Sequence, residues 1–287
     1  MSASGVIEVR RVPVSEDPRV ELHVRERPGS GRHALLVVHG GPDWDASYLV
    51  EPLVRLPKRH RVLWPDLRGC GRSSRGLGDD HYTWSAAVGD LAALVEALEL
   101  DAVDVLGFSA GGRLALELAL RVPNRVRRLI VASSSVEPLP PDAFAGWEER
   151  DRRRAAAPPV DSRLDGPERT RAWALASAST DVWRADALPD YLRRLDRVCF
   201  SGEWARPWLA GRLGSALPDD ARRRLARTGL PVLLLHGRQD MTFPAALADV
   251  TAAAMPAARA VVLDDAGHMA HVDQPDRWLA AVEDFLG

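Results

Sequence analysis

The stretch Val103-Asp104-Val105-Leu106-Gly107-Phe108-Ser109-Ala110-Gly111-Gly112 constrains this chain more than any other. It is an apolar run that stops at a serine set between glycines and continues as Arg113-Leu114-Ala115-Leu116-Glu117-Leu118-Ala119-Leu120, a string of strong helix formers. The pattern predicts a strand buried on both faces, a sharp turn and a helix. Gly107-x-Ser109-x-Gly111 brackets the turn with small residues where strand and helix must approach closely. A serine at the apex is held in a strained backbone, with its hydroxyl lifted clear of the sheet. A hydroxyl is a poor nucleophile until a base takes its proton, and a helix starting at Ala110 directs N–H groups toward a developing oxyanion. Alone, the pattern fits a glycine-rich turn with an incidental serine equally well. A base, an acid and a second oxyanion donor must come from elsewhere in the chain.

The rest of the sequence alternates strand and helix signals. Residues 5–14 and 19–26 alternate apolar and polar positions around Ser15-Glu16-Asp17-Pro18, as two antiparallel edge strands would. His33 to Val38 is a continuous apolar strand followed by His39-Gly40-Gly41-Pro42-Asp43. There the glycine pair permits unusual backbone angles, and the Gly41 N–H can be aimed at the same point as that of Ala110; an ordinary turn is the other reading. Arg61-Val62-Leu63-Trp64 forms the next strand, and in the loop after it Asp66 and Arg68 are expected as a buried structural pair. Val88, Leu91, Leu94, Val95 and Leu98 carry helical spacing between Thr83 and Leu100. Further strands are expected at 127–132, 231–235 and 257–263, with a closing helix from Asp276 to Leu286. Such alternation implies an α/β fold, a mainly parallel sheet covered by helices on both faces, with ligands bound beyond the carboxyl ends of the strands.

From Val136 to about Arg227 proline and arginine increase, clear strands disappear, and Trp147, Trp173, Trp183, Trp204 and Trp208 supply five of the nine tryptophans. The expected organisation is a core of residues 1–135 and 229–287 with a helical cap inserted at 136–228. Most of the cap tryptophans are expected to pack its small core, and one or two to face the site.

Composition excludes several classes. A net charge of −2 leaves no footprint for nucleic acid or an anionic membrane, and Arg152-Arg153-Arg154 and Arg222-Arg223-Arg224, with acids close by, read as solvated helix faces. Cys70 and Cys199 cannot make a disulfide framework and have no metal-ligand spacing, so a reduced cytoplasmic setting is expected. No apolar run reaches membrane-spanning length, and the N-terminus lacks the apolar core of a signal peptide.

Three strand ends offer Ser109, Asp240 and His268 in that order. Parallel strands bring such residues to one edge of a sheet, where His268 would take the Ser109 proton and later return it, while Asp240 orients the ring and stabilises its cation. Glu137 is an alternative acid and His271 an alternative base. His39 is expected to hydrogen-bond the backbone of its own loop, and Asp43 to cap a local helix rather than reach the pocket mouth.

With these residues the sequence resembles the α/β-hydrolase superfamily over 5–287. His39-Gly40-Gly41-Pro42 and Asp66-Leu67-Arg68-Gly69-Cys70-Gly71-Arg72-Ser73 are similar to the proline iminopeptidase branch. The resemblance implies that the N–H groups of Gly41 and Ala110 form the oxyanion hole. The chain departs from the branch at Asp43, where glycine is usual, and at Ala110, where tryptophan is usual. The branch's Trp-Glu and Ile-Glu-x-His-Tyr-Phe cap signatures, whose acids recognise a free amine, are also missing; the nearest stretches are Val182-Trp183-Arg184 and Leu195 to Phe200. The expected activity is therefore a serine hydrolase cleaving a small ester, amide or thioester through an acyl-enzyme on Ser109, with no metal or cofactor and no nucleic-acid or membrane partner. Carbon–carbon hydrolysis and perhydrolysis would use the same triad. A proline iminopeptidase-type aminopeptidase is one alternative, and a non-hydrolytic binding protein or cyclase on the same fold is another. The sequence leaves the oligomeric state open.

Overall fold

The computed structural model describes residues 6–287, so the start of the expected first strand at residue 5 and the residues before it lie outside the described part. Eight strands form one sheet: β1 (Glu8–Glu16), β2 (Arg19–Arg27), β3 (Ala34–Val38), β4 (Arg61–Pro65), β5 (Val103–Phe108), β6 (Val126–Ala132), β7 (Val232–Gly237) and β8 (Ala258–Leu263). The helices in chain order are α1 (Val50–Leu53), α2 (Trp84–Ala97), α3 (Ala110–Arg121), α4 (Glu148–Ala155), α5 (Gly166–Asp181) and α6 (Leu188–Leu195). They continue with α7 (Ala205–Leu209), α8 (Ala221–Thr228), α9 (Ala246–Ala254), α10 (Ala270–Asp273) and α11 (Pro275–Leu286). None of the described helices is long and apolar enough to cross a membrane.

The strand order is β1-β2-β4-β3-β5-β6-β7-β8. The pairs β1–β2 and β2–β4 are antiparallel and all the others parallel. Of the two N-terminal strands only β1 is an edge; β2 is held between β1 and β4, and its Val20, Leu22 and Val24 are fully buried. Every residue of β5 is buried, because helices cover both faces of the sheet. Its alternation sends Val103 and Val105 into one apolar core and Leu106 and Phe108 into the other. Each such side chain contributes roughly 1.5–3 kcal/mol of burial, which fixes β5 at the centre of the sheet and makes its carboxyl end a rigid platform.

Between β6 and β7 lie the helices α4 to α8 and no described strand. Arg153 of the arginine run is not simply solvated: it donates to the carbonyl oxygens of Ser179, Val182 and Trp183 and so holds the carboxyl end of α5. The expected Asp66–Arg68 pair is replaced by two separate buried clusters. Arg68 makes a bidentate pair with Asp90 of α2, 2.6 Å at each bond, whereas Asp66 accepts from Arg25 at 2.7 Å and lies 3.2 Å from His23. Both residues are structural, but chain neighbours pointing to opposite sides of their loop cannot reach one another.

Candidate active site

Ser109 sits between β5 and α3 with φ 54° and ψ −124°, a sparsely populated positive-φ conformation that costs an L-residue on the order of 1–3 kcal/mol. Its N–H donates to the Ala132 carbonyl at 2.9 Å and its carbonyl accepts from Gly112 at 2.9 Å, so the surrounding backbone holds the strain in place. The flanking glycines are required by space. A Cβ on Gly107 would lie 2.3 Å from the Gly111 carbonyl oxygen, and one on Gly111 would lie 2.3 Å from the carbonyl oxygens of Val38 and His39.

His268, in the loop after β8, places Nε2 3.1 Å from the Ser109 Oγ and Nδ1 3.0 Å from an oxygen of Asp240, in the loop after β7. A carboxylate only accepts, so the Nδ1 proton is donated to Asp240 and Nε2 is left to receive the Ser109 proton. Asp240 is fully buried, yet its other oxygen accepts the N–H groups of Thr242 at 2.7 Å and Phe243 at 2.9 Å. Burial pushes the Asp240 carboxyl up, but His268 and His236 together hold it well below its ordinary value. Burial likewise pushes His268 down, and the charge and hydrogen bond of Asp240 outweigh it, so His268 is raised above 6.5. Phe243 stacks on the His268 ring with centroids 6.0 Å apart and planes at 18°, limiting its rotation.

His236 was not recognisable from sequence as part of this cluster. Its Nε2 is 3.0 Å from the Phe243 carbonyl and 3.2 Å from Oδ2 of Asp240, so it carries a proton there and braces the same carboxylate oxygen that accepts from His268. The i, i+4 spacing to Asp240 was the available signal. Asp181, at the end of α5, was also missed. Its carboxylate accepts from Ser177 at 2.7 Å and Tyr191 at 3.3 Å, and its main-chain carbonyl accepts from Met269 at 2.8 Å, which ties α5 to the loop carrying His268.

The competing residues fall elsewhere. Glu137 pairs with Arg222, and His271 is buried against Phe108 and Trp278, where burial pushes it well below 6.5. His39 bonds the Gly40 carbonyl through Nδ1 and accepts the Leu67 N–H through Nε2, each at 3.0 Å. Asp43 is a helix cap, although of α7 and not of a local helix; the local turn is capped by Asp45, which accepts from Ser47. Gly41, Ser109 and Ala110 border one cavity of about 870 Å³. Among the described residues neither the Gly41 nor the Ala110 N–H has an acceptor, so both remain free for a ligand oxygen. Of the five cap tryptophans three, Trp173, Trp204 and Trp208, line this cavity, more than the one or two expected.

A mainly parallel sheet with a strained serine between its central strand and a helix, hydrogen-bonded through histidine to a buried aspartate, is the arrangement of the α/β-hydrolase class. Residues 33–275 match the family model described as alpha/beta hydrolase fold, and the chain belongs to that family. A 2-hydroxymuconate semialdehyde hydrolase of Pseudomonas sp. strain CF600 is 30% identical over 97% of this chain and 94% of its own length. A proline iminopeptidase of Heyndrickxia coagulans is 27% identical over 93% of this chain and 95% of its own. The solved structure of a thermophilic esterase from Thermogutta terrifontis superimposes with a TM-score of 0.73 at 26% identity, covering 97% of this chain and 98% of the esterase.

Proposed function

We propose that this protein is a serine hydrolase that cleaves a small ester, amide or thioester through an acyl-enzyme on Ser109. The observation that carries the reading is the hydrogen-bonded series Ser109–His268–Asp240 at 3.1 and 3.0 Å, opening onto a cavity bordered by two unpaired backbone N–H groups. His268 takes the Ser109 proton as Oγ attacks the carbonyl carbon, and the N–H groups of Gly41 and Ala110 stabilise the oxyanion. The imidazolium then protonates the leaving group, and water repeats the sequence to release the acid. Asp240 keeps the ring in the productive tautomer.

Carbon–carbon hydrolysis uses the same machinery and is a second reading; the Pseudomonas relative, 30% identical, is named for hydrolysis of 2-hydroxymuconate semialdehyde. The iminopeptidase reading has less support, because the charged side chains that border the cavity without a partner are Arg113 and Arg154, which repel an ammonium group. A binding protein or cyclase would not require all three members of the triad. A cytoplasmic setting fits the two unpaired cysteines.

Intact mass measured after exposure to a fluorophosphonate tests the reading. A single adduct on the wild type and none on Ser109→Ala is expected; a folded wild type that stays unlabelled would overturn it.

A further inference from the structure

Arg113 lies in the first turn of α3, four residues after Ser109, and both residues border the large cavity. Its Nε is buried without a hydrogen-bond partner, and among the described residues no carboxylate pairs with its guanidinium. Asp219 and Asp220, which border an adjoining cavity with Arg113, are exposed to solvent and form no ion pair with it; the other acids nearby are committed elsewhere. Asp43, the one carboxylate bordering the cavity, accepts from Ser201, Trp204 and Ala205, while Glu137, which shares an adjoining cavity with Arg113, is paired with Arg222. The guanidinium lies 5.1 Å from the centroid of Phe243, the ring that stacks on His268. A half-buried cation left without an anion is costly unless a ligand supplies one. Much of the remaining wall is aromatic, including Trp44, Trp84, Trp173 and Trp208.

We propose that Arg113 binds a carboxylate carried by the substrate, so that the enzyme acts on acyl compounds with an apolar body and a free carboxylate close to the scissile carbonyl. The proposal rests on Ser109 being the nucleophile. The planar fork of arginine suits a bidentate grip on a carboxylate, and the Phe243 ring lies between the guanidinium and the His268 ring that it stacks on.

Two measurements test this. In the Ser109→Ala protein, quenching of tryptophan fluorescence reports binding of 3-phenylpropionate and of its neutral analogue 3-phenylpropionamide without any turnover. The carboxylate is expected to bind at least about tenfold tighter, with Arg113→Met bringing the two toward parity and Arg113→Lys retaining much of the difference. In the Ser109 enzyme, kcat/KM for p-nitrophenyl hemiglutarate against p-nitrophenyl valerate is expected to fall by about 10- to 100-fold as a ratio on Arg113→Met. Equal binding of the two ligands, or an equal fall for both esters, overturns the proposal and leaves the hydrolase reading standing. Tighter carboxylate binding by a folded protein whose wild type a fluorophosphonate does not label sustains the anion site and overturns the hydrolase reading instead.

Discussion

Asp43 and Trp204 are separated by 161 residues and joined by a hydrogen bond: the Trp204 N–H donates to Oδ1 of Asp43 at 2.9 Å. The Ala205 N–H donates to the other oxygen at 2.7 Å and the Ser201 hydroxyl to Oδ1 at 2.7 Å. One carboxylate thus closes the start of α7 and anchors it to the loop that carries Gly41. Burial raises the Asp43 carboxyl, and these donors oppose the rise. Asp43 adopts φ 76°, a left-handed backbone that glycine would tolerate without strain. At this position strain is accepted in exchange for the cap.

Asp43→Ala strands two buried N–H donors and is expected to cost about 2–4 kcal/mol, read as a lowered urea midpoint with an unchanged slope. Asp43→Asn, which keeps one acceptor oxygen, is expected to lose less. A stability for Asp43→Ala within 0.5 kcal/mol of wild type, roughly the scatter of ordinary surface changes, would show that the cap does not hold the loop.

The pH profile of kcat/KM follows from the tautomer of His268. In the proposed mechanism only the neutral ring accepts the Ser109 proton, so activity is expected to rise with pH as His268 deprotonates. Because Asp240 holds His268 above 6.5, the midpoint of that rise is expected above 6.5. Asp240→Asn removes the charge that raises His268 and leaves burial, which lowers it. The midpoint should therefore move to lower pH while kcat falls about 10⁴-fold. A midpoint that stays in place assigns the titration to another group.

In the proposed mechanism Ser109 and His268 act as one unit. Ser109→Ala and His268→Ala are each expected to reduce kcat by about 10⁶-fold, and the double variant to be no slower than either. Additive losses in steady-state turnover would mean that the two residues serve different steps.

The Arg68–Asp90 pair is buried on both sides, with side chains 5% and 2% exposed. Burial raises the Asp90 carboxyl despite the opposing Arg68 charge, so the pair is maintained against a desolvation penalty. Asp90→Leu alone leaves an uncompensated buried cation and is expected to cost about 3–5 kcal/mol. Adding Arg68→Leu should recover part of that loss, measured by chemical denaturation of the single and double variants.

The alternation of strands and helices, the turn at Ser109 and the order Ser109, Asp240, His268 were all legible in the sequence, because each is written in residues adjacent in the chain. A strand buried on both faces declares itself by continuous apolarity, and a tight turn by its glycines. Parallel strands then deliver their carboxyl ends to one edge with no further information.

Partners were legible only where the chain supplied them locally. Arg68 lies two residues from Asp66 but pairs with Asp90, Asp43 caps α7 rather than a local turn, and His236 braces Asp240 from inside β7. Arg113 reads as one more polar position on α3, and only the assembled cavity reveals that no acid meets it. The sequence by itself determined the sheet, the elbow and the residue types at its edge, since periodicity and turn chemistry are local properties. The tertiary structure alone decided which carboxylate meets which donor and which cations stay unpaired, because those outcomes depend on distances between segments up to 224 residues apart.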